Sequence, residues 1–382
     1  MQAAANRQSF RPSRPHINAA TRKLPTGCLH CGCKKLVRKG TRRKKLETVQ
    51  LWQCTYCRRV FTPLPPAARN TTYPPSVIID ALTTYNLGYP LSETARRLRG
   101  RGYSVSSSSL SRWLATYGSF ATYQRLRSRG LALFPPHKTL CTIKLYHRQV
   151  YEYAFHRPKL AFLLGAGKSQ EGLARSNLRT RARQQPRFAA LKEFLESVKD
   201  SSPHVLFQAS DRASQAEGNF IDPNRRVAVP KENTATRTAG LIIPTTANNH
   251  LRHSRLQRFM LANDSVTVAV EIPIWLREKD IAAIEARWGI ALIPKVPGQE
   301  RIITGHIDFL QIRNGAIHIL DYKPDAKTNK PFAQLTIYAL ALSQLTGISL
   351  FDFKCAWFNE DQYCEFYPRA ILKRSVDRRQ AA

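Results

Sequence analysis

The chain has 382 residues, enough for two or three folded domains of roughly 100 to 200 residues each. Hydrophobic residues make up 43% and aromatic residues 9%, which excludes a wholly disordered protein. Lysine and arginine number 60 against 26 acidic residues, and the net charge of +34 favours a polyanionic partner. Because the sequence has no apolar run of membrane-spanning length and no secretory signal at its start, we expect a soluble, cytoplasmic, nucleoid-associated protein.

The positive charge is concentrated at the N-terminal end. Residues 1–130 carry 24 lysines and arginines but only three carboxylates, so this third is the predicted nucleic-acid-binding part. Residues 1–25 are basic and contain prolines, which predicts a flexible arm, and residues 371–382 form a basic tail. Most carboxylates lie after residue 130, where any chemistry that needs acidic groups must be sought.

Two Cys-x-x-Cys pairs occur within residues 26–62. Each pair directs two thiolates at one point, and two pairs complete a tetrahedral zinc site, so we predict a zinc ribbon there. An intracellular protein favours metal over disulfides. The predicted ligands are Cys28, Cys31, Cys54 and Cys57. His30 and Cys33 lie beside the first pair and could replace one of these ligands. The alternative is that the four cysteines are buried thiols that bind no metal.

Three short helices are predicted within residues 70–130. Apolar residues recur at helical spacing from Val77, Gly88 with Pro90 ends the first helix, and a serine-rich turn precedes the third. This order is typical of a helix-turn-helix domain, whose last helix enters the major groove. A small helical bundle without DNA binding is the alternative. The candidate DNA contacts are Ser107, Ser108, Ser109, Ser111 and Arg112 on the third helix, and Lys34, Lys35, Arg42, Arg43, Lys44 and Lys45 in the ribbon.

This N-terminal region resembles a known family. Cys54, Cys57, Arg59 and Phe61 are followed by the tract 73–89 and by Ser-Leu-Ser-Arg-Trp-Leu at 109–114. Together they resemble the N-terminal DNA-binding region of insertion-sequence transposases, over about residues 26–120. The resemblance implies sequence-directed DNA binding by ribbon and helix-turn-helix.

Residues 131–240 show no clear motif and little periodic patterning, and we predict a helical connector there.

The C-terminal part has a mixed pattern of strands and helices. Alternation predicts strands at 265–275, 302–313 and 316–323, the last two joined by an Asn-Gly turn. Helices are predicted at 278–288 and 334–345, and one or two strands at 351–367. We therefore expect an α/β domain over residues 241–370, with a mixed sheet flanked by helices.

One hairpin of this domain carries a catalytic pattern. Asp308 and Asp321 lie on adjoining strands, and the turn between them brings the two carboxylates to the same level. Lys323 shares a face with Asp321, because strand side chains alternate with a period of two. Two carboxylates bind Mg²⁺ or Mn²⁺, which acidifies a water, while the lysine ammonium orients that water or stabilises the charged phosphorane. This pattern predicts metal-dependent phosphodiester hydrolysis.

Three motifs occur in order in this region: Gly305-His-Ile-Asp308, Asp321-Tyr-Lys323 and Gln334-Leu-Thr-Ile-Tyr338. They resemble the GxxD, (D/E)xK and QxxxY motifs of the PD-(D/E)XK nuclease superfamily, specifically its RecB-type branch. The resemblance covers about residues 245–367 and implies a restriction-endonuclease-like core. The implied roles are metal ligation by Asp308, Asp321 and the Tyr322 carbonyl, catalysis by Lys323, and positioning of DNA or of the metal shell by Gln334 and Tyr338.

Two further roles follow from the same resemblance. Glu271 matches the additional carboxylate of some members, with a solvated strand residue as the alternative. His250 or His253 matches the upstream histidine of the RecB branch, and of these we favour His250 as a metal ligand. For both histidines the alternative is a surface or packing imidazole.

The leading hypothesis is a metal-dependent DNA nuclease, targeted by the zinc ribbon and helix-turn-helix and acting as a transposition-type endonuclease of a mobile element. One alternative is a RecB-like repair or resection exonuclease, and another is a non-catalytic DNA-binding regulator. Cleavage of both strands would require a homodimer, because each chain has one catalytic pattern. The sequence has no P-loop motif, so unwinding would require a helicase or another transposition protein.

Overall fold

The computed structural model describes residues 17–18, 25, 27–44, 46–62, 64, 68, 71–165, 187–225, 227–246, 248–324 and 330–373. The chain forms two compact units. The first comprises residues 1–121 and 241–252, and the second comprises residues 122–240 and 253–382. Within the described ranges, no helix has the length and apolarity that crossing a membrane requires.

A small sheet begins the first unit. Its strands are β1 (Ile17–Asn18), β2 (Leu36–Arg43), β3 (Glu47–Cys54) and β4 (Val60–Phe61). β3 is central, parallel to β1 and antiparallel to β2 and β4. Its core consists of Trp52 and Phe61 packed against cysteine side chains, while β2 is exposed along nearly its whole length. A core this small needs a covalent or metal link to stay folded.

Three helices follow in the first unit: α1 (Pro75–Asn86), α2 (Leu91–Gly100) and α3 (Ser107–Thr116). Their apolar faces meet in one cluster that includes Val77, Leu98 and Leu110. The Ser106 side chain caps α3 by accepting the Ser109 N–H. The three helices predicted from the sequence are present, and their binding to DNA stays a proposal.

The second unit is built on a mixed sheet. Its strands are β5 (Leu140–His147), β6 (Gln149–His156), β7 (Asp211–Arg212), β8 (Val229–Pro230), β9 (Thr267–Leu276), β10 (Ile303–Arg313), β11 (Ala316–Tyr322), β12 (Phe353–Phe358) and β13 (Tyr363–Phe366). Among the described residues their order is β5-β6-β9-β10-β11-β12-β13-β8, with β7 beside β10. The β11–β12 and β7–β10 pairs are parallel and the others antiparallel.

The remaining helices are α4 (Arg127–Leu133), α5 (Arg157–Leu163), α6 (Ala189–Ser201), α7 (Leu206–Ala209), α8 (Thr234–Thr245), α9 (Arg252–Asn263), α10 (Glu278–Trp288), α11 (Phe332–Thr346) and α12 (Pro368–Ile371). α11 lies in the crossover between the parallel strands β11 and β12, a connection that parallel pairing requires. Its central residues, such as Leu335 and Ala339, are fully buried in the main core. A helix that is apolar on most sides is expected at such a buried position. The mixed sheet with flanking helices fits a restriction-endonuclease-like fold.

The predicted helical connector over residues 131–240 needs correction, because this range contains the strands β5 to β8 of the mixed sheet. The largest part is residues 140–156. These residues form the hairpin β5–β6, and β6 pairs with β9 through Ala154 opposite Val270. The two partners lie more than 100 positions apart in the chain. Local periodicity does not reveal such a pairing, because it arises from contacts between distant segments.

The hairpin β10–β11 turns at Asn314 and Gly315, whose φ angles of 51° and 69° are both positive. Such angles are typical of the type I′ turn that Asn-Gly favours. The register places Phe309 opposite Leu320, so Asp308 and Asp321 follow at the same level, next to the pair. The turn chemistry therefore sets the spacing of the two carboxylates.

Candidate functional site

A cavity of about 370 Å³ opens beside β10, β11 and α11. Most of the residues predicted for catalysis line this cavity: Glu271, Asp308, Asp321, Tyr322, Lys323, Gln334 and Tyr338, together with His253. His250 is exposed, and its N–H donates to the Asn248 side chain at 2.9 Å. The structure thus gathers residues from β9, β10, β11, α9 and α11 around one space.

The Asp308 carboxylate is held by the neighbouring strand. Its Oδ2 accepts the backbone N–H of Tyr322 at 3.1 Å, and His253 Nε2 lies 3.4 Å from the same oxygen. Burial raises the pKa of Asp308 to about 6, although the Tyr322 N–H acts in the opposite direction. These contacts fix the carboxylate at the wall of the cavity.

Asp321 and Lys323 form an ion pair of 3.1 Å between Oδ2 and Nζ. Asp321 is only 2% exposed, and Gln334 Nε2 lies 3.5 Å from its other oxygen. Burial and the nearby Asp308 charge raise the pKa of Asp321 to about 8. In the described part of the chain, Oδ2 has no partner with hydrogen-bond geometry. A buried carboxylate oxygen with an unused lone pair suits a metal ligand.

Glu271 has a left-handed backbone conformation within β9, with φ of 52°. Its neighbours remain in the ladder, Ile272 opposite Ile307 and Val270 opposite Phe309. Such a conformation is strained for a residue with a side chain, and it interrupts the strand at the level of Asp308. Strain of this kind is common where a side chain is redirected into a functional site.

Gln257 of α9 connects this strained residue to the next strand. Its Nε2 donates to Glu271 Oε1 at 2.6 Å and lies 3.3 Å from the Asp308 carbonyl. Burial and the Asp308 charge raise the pKa of Glu271 to about 8 despite this hydrogen bond. Three acidic groups that line one cavity, one buried and two half-buried, repel one another when ionised, so a cation would stabilise their charged forms.

The donor atoms fit a divalent cation. Ligand atoms of His253, Glu271 and Asp308 lie within 4.8 Å of one another. Carboxylate oxygens with one imidazole suit a hard or borderline ion such as Mg²⁺ or Mn²⁺. The group contains His253 and not the favoured His250. Burial lowers the pKa of His253, which leaves its nitrogen free of a proton for ligation at neutral pH.

A histidine chain at the cavity was missed by the sequence analysis. His147 bridges His306 and His204, with nitrogen separations of 2.9 Å and 2.8 Å. The His306 ring stacks on Tyr151 at 3.5 Å between centroids, and the His147 ring stacks on Phe207 at 3.8 Å. Burial lowers the pKa of His147 to about 4 and of His306 to about 3, so both imidazoles are neutral at pH 7.

Two arginines also line the cavity without having been predicted. Arg148 donates to the carbonyls of Gln208 and Ser210 at 3.0 Å and 2.7 Å, which holds it in place. Arg212 lies on β7 beside Thr304. Their side chains add positive charge to a cavity that also holds carboxylates, and this charge would attract an anionic ligand. No local motif marks them, since they come from the β5–β6 turn and from a two-residue strand.

The four predicted cysteine ligands form a second cluster, in the first unit. Ligand atoms of Cys28, Cys31, Cys54 and Cys57 lie within 4.8 Å of one another. The sulfurs of Cys28 and Cys57 are 3.6 Å apart, as are those of Cys31 and Cys54. These separations exceed a disulfide bond and approach the roughly 3.8 Å expected for sulfurs 2.3 Å from a tetrahedral zinc ion. His30 and Cys33, the proposed substitutes, are not in this group.

Most candidate DNA contacts of the first unit lie at its surface. The exposed residues are Lys34, Lys35, Arg42, Arg43, Ser107, Ser108, Ser111 and Arg112, and Ser109 is half-buried. Lys44 pairs with buried Glu47 at 3.0 Å, so its charge is partly compensated. Lys45 lies outside the described residues. Leu110 and Leu114 face the core, which leaves the polar face of α3 accessible.

Comparison with known proteins identifies the domain that carries the cavity. No curated protein and no solved structure matches the chain significantly. Residues 189–363 match the family model of the PD-(D/E)XK nuclease superfamily. The matched segment includes every carboxylate of the cavity described above as well as Lys323, Gln334 and Tyr338. Residues 189–363 are therefore a domain of the PD-(D/E)XK nuclease superfamily, which supports a metal-dependent nuclease.

Proposed function

We propose that this protein is a divalent-metal-dependent DNA nuclease whose cleavage site is the cavity around Asp308, Asp321 and Lys323. The observation that supports this most is the convergence of Glu271, Asp308 and Asp321 in one buried place with a lysine 3.1 Å from Asp321. Buried carboxylates without enough opposing charge are unfavourable unless a cation or a proton neutralises them. A site that needs a cation and lies beside arginines suits phosphodiester hydrolysis.

In this proposal each residue has a separate task. Asp308 and Glu271 would hold the cation together with His253. Asp321 lies outside this group and would add a carboxylate oxygen beside it, where Lys323 Nζ is 3.1 Å from Oδ2. When bound, the cation supplies Lewis-acid activation of water and neutralises phosphate charge.

Other side chains act on the substrate and on the geometry of the site. The Lys323 ammonium stabilises the negative charge that develops on the phosphoryl oxygens. Gln334 donates to the Tyr338 hydroxyl at 2.9 Å, which keeps its amide directed at Asp321. Tyr338 is buried and sets the position of Gln334 rather than touching the substrate. The stacked rings of Tyr151 and His306, with His147 2.9 Å from His306, form an uncharged part of the cavity wall.

We further propose that the first unit targets the nuclease to DNA. The cysteine cluster would hold structural zinc, and the exposed basic strand β2 would contact phosphates. The polar face of α3 would contact the major groove as the last helix of a helix-turn-helix. This arrangement, together with the resemblance to insertion-sequence transposases, favours a mobile-element endonuclease of the transposition type, acting in the nucleoid and as a homodimer where both strands are cut.

The direct test is cleavage by the purified full-length protein. We expect Mg²⁺ or Mn²⁺ to support cleavage of supercoiled plasmid, and Asp321→Asn to abolish it. The matched control is Asp352→Asn, which changes a carboxylate paired with Arg187 outside the cavity. Covalently closed circles separate an endonuclease from an exonuclease that needs a free end. DNA binding without cleavage under either ion would contradict the proposal and favour a non-catalytic regulator.

A further inference from the structure

A second cavity of the nuclease unit, of about 730 Å³, combines aromatic rings with cations. We call it the aromatic groove and define it by Trp288, Phe351, Tyr367, Arg287, Arg369 and Lys373. Phe351 is 64% exposed and Tyr367 52% exposed. Two rings this exposed that line one cavity form a contiguous apolar patch, which is the kind of surface that marks interaction sites.

The cations of the aromatic groove are placed against its rings. The Arg369 guanidinium lies 3.5 Å from the centre of the Phe351 ring, and the Arg287 guanidinium lies 5.6 Å from that of Trp288. From beside the groove, Lys354 Nζ approaches the Tyr367 ring to 4.9 Å. Stacked guanidinium and ring surfaces present flat faces to a base and donors to a phosphate.

The charge of the aromatic groove is uncompensated. Among the residues that the structure describes, no acidic side chain lines it, and Arg287, Arg369 and Lys373 have no ion-pair partner there. Two neighbouring carboxylates are already used, since Asp352 pairs with Arg187 and Asp222 pairs with Arg225. This surplus of positive charge favours an anionic ligand. The chain that follows Lys373 is itself rich in arginine, so it is not a suitable occupant.

The aromatic groove lies away from the cleavage site on the same sheet. Phe351 lies two positions before Phe353, the first residue of β12. Trp357, near the other end of that strand, is opposite Asp321 of the cleavage site. The four residue steps from Phe353 to Trp357 span about 13 Å at roughly 3.3 Å per step. At a stacked rise of about 3.4 Å this distance corresponds to at least roughly four nucleotides. A nucleotide in the groove is therefore not the one that is cleaved.

We propose that the aromatic groove binds a single-stranded segment of nucleic acid. Exposed rings stack on bases only where these are not already stacked in a duplex, and the interleaved arginines match the phosphates between them. The choice of nucleic acid as the ligand rests on the proposed nuclease function, but the binding site is a separate one. Single-stranded DNA held there would keep an unpaired flank attached to the enzyme during cleavage.

The test uses the full-length chain with Lys323→Ala, so that DNA is not consumed. An oligothymidylate of about 20 nucleotides is cross-linked to it by ultraviolet light, and the modified peptides are mapped by mass spectrometry. We expect cross-links at Phe351 and Tyr367. The double change Phe351→Ala and Tyr367→Ala should remove them and leave any cross-links of the first unit in place. Tyr146→Ala, which removes a 67% exposed ring outside the groove, is the matched control.

A second measurement addresses charge. The logarithm of the oligothymidylate affinity falls with the logarithm of the salt concentration, and Arg369→Ala should make this slope less steep by about the amount of one phosphate contact. Lys199→Ala, on the exposed face of α6, should leave the slope unchanged. Cross-links confined to other surfaces, or binding of anionic lipid vesicles in place of the oligonucleotide, would overturn the inference. The inference would also be overturned if the wild-type chain cleaved plasmid but no cross-links formed in the aromatic groove. Groove cross-links without any cleavage would leave this site standing and refute the nuclease function instead.

Discussion

The ring of Tyr338 packs directly on the backbone of Gly305. A Cβ atom added at Gly305 would lie 2.5 Å from Tyr338 Cε1, closer than packed carbons ever approach. Gly305 is three positions before Asp308, and Tyr338 bonds to Gln334, so this one contact joins β10 to α11 beside the carboxylates. Glycine at this position thus has a steric cause.

Replacing Gly305 by alanine should damage cleavage more than folding. The methyl group must displace the Tyr338 ring, which costs about 1 to 3 kcal/mol and moves the Gln334 amide away from Asp321. We expect cleavage to fall at least roughly tenfold because small displacements in a catalytic site are costly. Gly240→Ala is the control, since its added Cβ meets only the Glu360 carbonyl at 3.7 Å. Urea unfolding and plasmid cleavage measure the two effects; equal activity of both variants would show that the contact is dispensable.

Lys323→Ala should abolish cleavage while DNA affinity stays nearly unchanged. The ammonium is 3.1 Å from Asp321 and stabilises charge only as the phosphoryl group reacts. Loss of such a group lowers the catalytic rate by about 10² to 10³-fold or more. Single-turnover cleavage and gel retardation, run on the same preparation, separate the two quantities. A variant that cleaves at the wild-type rate would remove Lys323 from the mechanism.

The choice between the two histidines can be settled by a matched pair. His253→Ala should weaken divalent-ion binding at least about tenfold, because its Nε2 lies 3.4 Å from Asp308 and 3.7 Å from Glu271. His250→Ala removes an exposed imidazole and should bind the ion as the wild type does. Isothermal calorimetry with Mn²⁺ gives both affinities. The reverse ranking would restore His250 as the ligand.

Zinc content should respond to Cys54 and not to Cys33. Cys54 is fully buried and one of the four clustered thiols, so Cys54→Ser should lose the ion and unfold the ribbon, whereas Cys33→Ser should keep about one equivalent. Elemental analysis counts the zinc, and gel retardation reports the accompanying loss of DNA affinity. One equivalent of zinc in the Cys54 variant would refute this ligand set.

The stability of the metal-free protein should fall as pH rises from about 4 to 8. Burial raises the pKa of Asp321 and of Glu271 to about 8, so the folded state keeps protons that the unfolded state has already released. Folding is favoured by these groups at low pH, and that contribution is lost as the pH approaches the folded pKa. In the Asp321→Asn variant this side chain cannot ionise, so stability should fall less steeply with pH.

Thermal melts across this pH range measure the effect for both chains, with chelator present. Adding Mg²⁺ should raise the melting temperature more at pH 8 than at pH 5, because the ion binds the ionised carboxylates and releases protons. A slope that is identical in the wild type and in Asp321→Asn would show that Asp321 is ionised in both states.

Local chemistry determined a large part of this fold. The Asn-Gly pair predicted the turn at 314–315, and alternation on both sides of it predicted the strands that place Asp308 and Asp321 at one level. The helix at 278–288 was predicted with the bounds it has, since its apolar spacing and the glycine that follows it are local signals. The paired cysteines likewise predicted the four-thiol cluster. For the turn and the helix, the neighbours that decide the conformation lie within a few residues, and each Cys-x-x-Cys pair is equally local.

Only the tertiary structure decided the rest of the site. β6 pairs with β9 across more than 100 positions, and this pairing brings Tyr151 and His147 to the cavity wall. The strained backbone of Glu271 is held by Gln257 and by the strand beside it, not by its own neighbours in sequence. His253 joins the carboxylates because helix α9 packs so that its imidazole reaches them. Contacts between distant segments leave no periodic trace in the sequence. The local pattern of a segment favours a helix or a strand, but it does not specify which distant segment will pack against it.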